Sequence, residues 1–324
     1  EGCNPFTKEW QAVFSKSKNQ KTYTIESALE YARGISKDLV GPQTQRDYKS
    51  HAKKLIDFLS SGSKKSIESL NKRIIIEFLN DVMKKTSPRT RNNVKSSISA
   101  LFTVLENQMI IPENFVRSIH KEKTREKVDR TFSTEQLKDV TNYLRENDLN
   151  LLLFIKFVSY NFLRPIEVCR LKIDHINLKE GMLYFHAKNK PTKIKRIPDI
   201  LLSELRDLNL DSYNKDFYLF TYQNKPAQWK VKDSDRRNHF SNRFKEVKNV
   251  LGLDGSYGIY SFRHSYITNL FQHLRTKKNM SYNEAVEFLL PITGHHSKEG
   301  LSNYLHKIDA DIPADWSKLI DVVI

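Results

Sequence analysis

Cysteine is nearly absent from this 324-residue chain: Cys3 and Cys169 are the only two. Two thiols cannot supply a disulfide framework or a zinc site of the Cys-x-x-Cys kind, and they fit a reducing, cytosolic setting. Glycine and proline are scarce, at ten each, which argues against a β-rich, turn-dense fold. No run of about 18 apolar residues occurs, so no membrane span is expected. Acidic residues nowhere cluster with the spacing of a two-metal nuclease, and there is no internal repeat or low-complexity tract. The opening Glu1-Gly2-Cys3-Asn4-Pro5-Phe6 has neither an initiator methionine nor the apolar core of a signal peptide, and reads as a fragment whose true start has been removed.

What the chain has in excess is positive charge. Its 54 Lys and Arg outnumber its 38 Asp and Glu, for a net charge of +16. Such an excess points to a polyanionic partner, nucleic acid first. Ribosomal and histone-like proteins share it, so charge alone names no function. The length predicts two domains, and 39% hydrophobic residues suffice for two modest cores.

Residues 1–24 are polar and weakly periodic, a linker remnant. Helical periodicity then begins with Ile25, Ala28, Leu29 and Ala32. A second helix over about 44–60 buries Tyr48, Ala52, Leu55 and Leu59, and carries Arg46, Lys49 and Lys53 on another face. A third over 72–85 carries Ile75, Phe78, Leu79 and Val82. A fourth starts at Ser87-Pro88, an N-cap followed by the residue suited to the first helical position. Its stripe is Val94, Ile98, Leu101 and Leu105, with Arg89, Arg91 and Lys95 in its first turns. Residues 25–116 thus form a helical domain. Its six named basic residues are candidate phosphate contacts, although a merely solvated face would look the same. Residues 117–131 form the domain boundary, and the almost wholly charged stretch His120–Arg130 within it predicts an exposed linker.

Residues 132–324 read as a mixed domain. Ser133 and Gln136 form a capping box. Helices are expected over about 134–146, 148–160, 199–208, 233–251, 261–275, 282–290 and 298–306, with another after Arg164. Two β runs, 182–186 and 194–197, flank a basic loop containing Lys188 and Lys190, a hairpin with an exposed tip. The fold class is therefore mainly α, with a small antiparallel sheet in the second domain.

Three separated segments carry the chemistry. They are Arg164-Pro165-Ile166-Glu167, then Tyr260-Ser261-Phe262-Arg263-His264, then Thr293-Gly294-His295-His296, with Tyr304 nine residues beyond His295. Together with the hairpin lysine, and behind a small basic helical domain, they resemble the tyrosine recombinase (phage-type integrase) family. The resemblance covers residues 25–306.

The resemblance implies a SAM-like core-binding domain ahead of the catalytic domain, the two clamping duplex DNA. It implies strand cleavage by Tyr304 through a 3′-phosphotyrosyl intermediate, with exchange through a Holliday junction and no metal or other cofactor. Arg164 and Arg263 become the phosphate clamp, because guanidinium offers parallel donors and keeps its charge. His295 becomes a hydrogen-bond partner of the scissile phosphate, and Lys188 the proton donor to the leaving oxygen, with Lys190 and Lys193 as rivals. Tyr260 departs from the pattern, which has His or Lys there; tyrosine can donate one hydrogen bond but is not a cation near neutral pH. His264 matches a supporting residue, and Phe162 replaces a glycine, read as a packing matter. Implied partners are double-stranded recombination sites, a tetramer on DNA and accessory DNA-bending factors, in a cytoplasmic, nucleoid-associated setting. The apolar stripe Trp316, Leu319, Ile320 and Val323 docks either on its own domain or on a neighbouring protomer. Two other readings stay open: a type IB topoisomerase-like enzyme, and a DNA-binding protein that retains the fold without cleavage.

Overall fold

The computed structural model describes residues 22–60, 64–124, 130–186, 192–308 and 310. The chain divides into two compact units, Glu1–Glu126 and Lys127–Ile324. Its fold class is mainly α with one small antiparallel sheet.

In the first unit, α1 (Ile25–Ser36), α2 (Pro42–Leu59), α3 (Lys72–Lys85) and α4 (Pro88–Asn107) surround one core. Side-chain caps from Thr24, Asn71 and Ser87 start α1, α3 and α4. They satisfy backbone donors that a helix leaves open at its first turn. α4 is central and packs against the other three. Val94, Ile98, Leu101 and Leu105 are fully buried there, as the 3.6-residue period requires.

Of the candidate phosphate contacts, Arg46, Lys49, Lys53 and Arg89 are exposed. Arg91 and Lys95 are not, and this corrects the sequence reading. They are 4% and 8% exposed. Arg91 Nη1 donates to His120 O at 3.1 Å, and Lys95 Nζ donates to Arg117 O at 3.2 Å. Asn92 exchanges two further bonds with the Glu122 backbone. The start of the expected linker is thus fastened along α4 as far as Glu122, with Ile119 buried. Charge patterning could not reveal this, because Arg91 and Lys95 donate to main-chain carbonyls, beside an Arg91–Glu122 ion pair at 3.5 Å.

The second unit is built on α6 (Leu149–Tyr160), whose apolar surface is buried nearly all round. It packs against α5 (Thr134–Asn147), α7 (Pro165–Val168), α8 (Asp199–Asp207), α9 (Asp233–Val250) and α10 (Ile259–Thr276). Both bonds of the Ser133–Gln136 capping box are present at the head of α5. The sheet runs β1 (Ile176–Asn177), β2 (Met182–His186), β3 (Thr192–Arg196), antiparallel throughout, with Leu183 opposite Ile176 and Lys195. β1 escaped the sequence reading because two residues show no alternation. Lys188 and Lys190 lie outside the described residues, as do the side chain of Lys193 and the stripe from Trp316 to Val323. A second core joins the apolar faces of α10, α11 (Tyr282–Thr293) and α12 (Lys298–Lys307). Among the described residues no helix is long and apolar enough to cross a membrane.

Candidate active site

Arg164 directly precedes α7, whose first residue is Pro165. The proline ring presets a helical φ, so the chain turns into helix immediately after the arginine. Buried Glu167 accepts from the Arg164 backbone N–H at 2.8 Å and from its Nη1 at 3.1 Å. One carboxylate therefore holds both the main chain and the guanidinium. Tyr260 on α10 lies near enough to act electrostatically on the same guanidinium. Burial opposes the Arg164 charge, but Glu167 and Tyr260 outweigh it, so the group is held more firmly protonated than usual. At 42% exposure the side chain remains open to a ligand.

Phe162, two residues earlier, has a φ of +49°, a region that glycine enters freely. Its backbone therefore carries a cost of about 1–2 kcal/mol that a purely packing-based reading omits. Burial among the α10–α12 side chains offsets it and ties the Arg164 loop to that core.

Tyr260, Arg263 and His264 recur at i, i+3 and i+4 on α10 and so share one face. Arg263 is fully buried. Its Nη2 donates to Thr293 O at 2.9 Å, while Nε and Nη1 have no hydrogen-bond partner. Buried donors left open are costly, and an anion here would satisfy them. His264 contacts the Tyr260 ring at 4.8 Å between centroids.

α11 ends at Gly294, whose φ of +72° reverses the chain where any Cβ would be strained. Thr293 Oγ1 donates to Leu289 O at 2.9 Å, so it accepts from His295 Nδ1 at 2.7 Å. That leaves the lone pair of the neutral ring on Nε2. Burial, then the charges of Arg263, Arg164 and Lys195, lowers this imidazole to about 4. His295 is half-buried, whereas His296 is exposed.

Ser297 caps α12 by accepting from Gly300 N at 3.0 Å. Leu301, Leu305 and Ile308 face the core, and half-buried Tyr304 lies on the same side. Its hydroxyl is 2.8 Å from His264 Nδ1. Its ring stacks on His264 at 5.3 Å and tilts against His295 at 4.8 Å. Burial pushes the phenol above its ordinary value; Arg263 pulls it down and Tyr260 adds to the rise. The net shift is upward, so the free protein holds Tyr304 protonated.

The described sequence candidates Arg164, Tyr260, Arg263, His295 and Tyr304 thus meet in one place. Two residues there were undervalued by sequence. His264, read as supporting, bonds the phenol itself. Lys195, lost among neighbouring basic residues, donates to Asn161 O and Ile292 O at 2.7 Å each, tying β3 to the segments ahead of Arg164 and His295. Among the described residues no group of three or more His, Cys, Asp or Glu is arranged to hold a metal ion.

Solved structures share the fold, two integrases among them. One is a lambda integrase dimer bound to a COC′ core site, with TM-score 0.68 and 17% identity, covering 88% of this chain and 77% of that one. The other is the Tn1549 transposon integrase in complex with transposon right end DNA, with TM-score 0.65 and 14% identity, covering 92% and 97%. The fold is therefore that of the tyrosine recombinases. A tyrosine recombinase of Agathobacter rectalis is 23% identical over 262 residues, 76% of this chain and 83% of the relative. Residues 130–310 match the phage integrase family, and the chain belongs to that family.

Proposed function

We propose that this chain is a site-specific recombinase of the integrase kind, cutting and rejoining duplex DNA through a 3′-phosphotyrosyl link to Tyr304. The observation that supports it best is the convergence of two arginines, an imidazole and a phenol from four separate segments, with two donors of buried Arg263 left open. A phosphodiester placed between Arg164 and Arg263 gains charge on its non-bridging oxygens as the Tyr304 oxygen attacks phosphorus. Fixed guanidinium donors stabilise that charge most where it develops. The bond to the 5′ oxygen breaks, and Lys188 supplies the proton that oxygen takes up. The new phosphotyrosyl bond keeps the energy of the old one, so a 5′-hydroxyl from another strand rejoins the DNA without ATP. Tyr260 contributes by orienting Arg164, which a cation at that position would not do. Arg46, Lys49, Lys53 and Arg89 on the first unit follow the phosphate backbone. Protomers assemble on the DNA, as in the lambda integrase dimer on its core site, and build a tetrameric synapse.

A pool of nicked random-sequence duplexes tests this. The wild-type chain should capture some duplexes as denaturant-resistant adducts that map by peptide sequencing to Tyr304, and Tyr304→Phe should capture none. No capture by the wild type, or an adduct elsewhere, refutes the reading.

A further inference from the structure

Two imidazoles border the Tyr304 phenol. His295 meets it ring to ring, and its Nδ1 is committed to Thr293. His264 meets the hydroxyl directly, Nδ1 to oxygen, at 2.8 Å. Tyr260, one helical turn before His264, meets the His264 ring edge to face at 4.8 Å and is not hydrogen-bonded to the phenol. We propose that His264 is the group that takes the proton from Tyr304 as it attacks, and returns it when the strand is rejoined. This rests on the recombinase reading above.

Proton bookkeeping supports the direction. The Arg263 charge favours the ionised form of the same phenol. The phenol oxygen lies 2.8 Å from His264 Nδ1, so the phenol's own hydrogen can pass to that nitrogen. A neutral imidazole must then present its bare nitrogen at Nδ1 and carry its hydrogen on Nε2. The groups facing His264 are Tyr260 and Arg263 from its own helix and Tyr304 from α12. Burial, then the Arg263 charge, lowers His264 to about 4, so it is neutral and able to accept. A bound phosphate would neutralise much of the Arg263 charge and raise the basicity of His264 when it is needed. In the step, the Tyr304 O–H bond breaks, an Nδ1–H bond forms, and the Tyr304 oxygen bonds phosphorus as the 5′ oxygen leaves with a proton from the hairpin lysine. Rejoining reverses each transfer.

The test uses a nicked duplex captured by the wild-type chain, and follows single-turnover adduct formation from pH 6 to 9.5. His264→Asn keeps a hydrogen-bond acceptor near the phenol but has no base; His264→Gln is run beside it as a second packing solution. Melting curves and DNA affinity select the variant that folds. At pH 7 adduct formation should slow by about 10²–10⁴-fold, the usual range for a positioned acid or base. The variant's rate should then climb about tenfold per pH unit as hydroxide replaces the base, where the wild type levels off. A rate within threefold of wild type, or a loss equal at every pH, overturns the proposal and makes His264 a positioning residue only. If the wild type captures no duplex at all, the recombinase reading falls and this one with it.

Discussion

Arg263 donates from Nη2 to the carbonyl of Thr293 at 2.9 Å, joining the buried arginine of α10 to the last residue of α11. The same Thr293 holds His295 through Oγ1, and Lys195 bonds the neighbouring carbonyl of Ile292. The last carbonyls of a helix carry partial negative charge and lack intrahelical partners, so cations belong there. The end of α11 thereby sets the positions of an arginine, a lysine and a histidine together.

Thr293→Val should expose that arrangement. It removes the acceptor for His295 Nδ1 and keeps the shape of the side chain. Single-turnover cleavage should fall by about 10²-fold, the scale of a misplaced catalytic group, with DNA affinity unchanged. Thr293→Ser should retain most of the activity. Equal rates for the Val variant and wild type would show that His295 is positioned by other means.

Arg263→Lys keeps a charge but loses the forked donors. Cleavage should fall by about 10²–10³-fold, as for removal of a donor aimed at transition-state charge, while affinity measured by gel shift changes little. A parallel loss of affinity and cleavage would make Arg263 a ground-state phosphate contact.

Lys188 and Lys195 should separate by chemistry. Alanine at either position should slow cleavage. A 5′-phosphorothiolate substrate, whose sulfur leaves without a proton, should rescue Lys188→Ala and not Lys195→Ala. Rescue of the Lys195 variant instead would move the proton donor into β3.

In the first unit, Arg89 and Arg91 should behave oppositely. Arg91→Ala leaves the His120 carbonyl without its buried donor and should cost about 1–3 kcal/mol in urea unfolding. Arg89→Ala should leave stability alone and flatten the salt dependence of DNA affinity by about one unit of slope. A normal urea midpoint for Arg91→Ala would contradict its structural role.

Acid should destabilise the second unit before its carboxylates titrate. His264 and His295 are each lowered from 6.5 to about 4 by burial and then by Arg263. Between those values the unfolded chain binds protons that the folded chain does not. The stability they contribute is therefore complete above pH 6.5 and is lost as pH falls toward 4. His239, also lowered by burial, adds in the same direction. Melting temperature should drop between pH 7 and pH 5, less steeply in His264→Gln. A flat or rising profile over that interval would mean these imidazoles are not held neutral.

Much of the fold was legible in the chain because its signals are local. The stripe Ile75, Phe78, Leu79, Val82 and the Ser87-Pro88 start depend only on helical period and on donors exposed at a first turn. β1 left no such trace, since its pairing with β2 exists only in three dimensions. Arg91 and Arg89 look alike in sequence, both basic and both early in α4, yet one is buried and the other exposed. What separates them is which side of α4 meets the returning segment at His120.

The amino-acid order by itself brought Arg164, Arg263, His295 and Tyr304 forward as candidates, through motifs that resemble the tyrosine recombinases, because residue type and spacing within a motif are local properties of the chain. It left the partners of those groups undetermined. That His264 reaches the Tyr304 hydroxyl and that Lys195 bridges Asn161 and Ile292 were decided by the packing of α10, α11, α12 and β3. The reason is range: a hydrogen bond acts over about 3 Å, so it records which elements are neighbours in space and leaves no periodic mark along the chain.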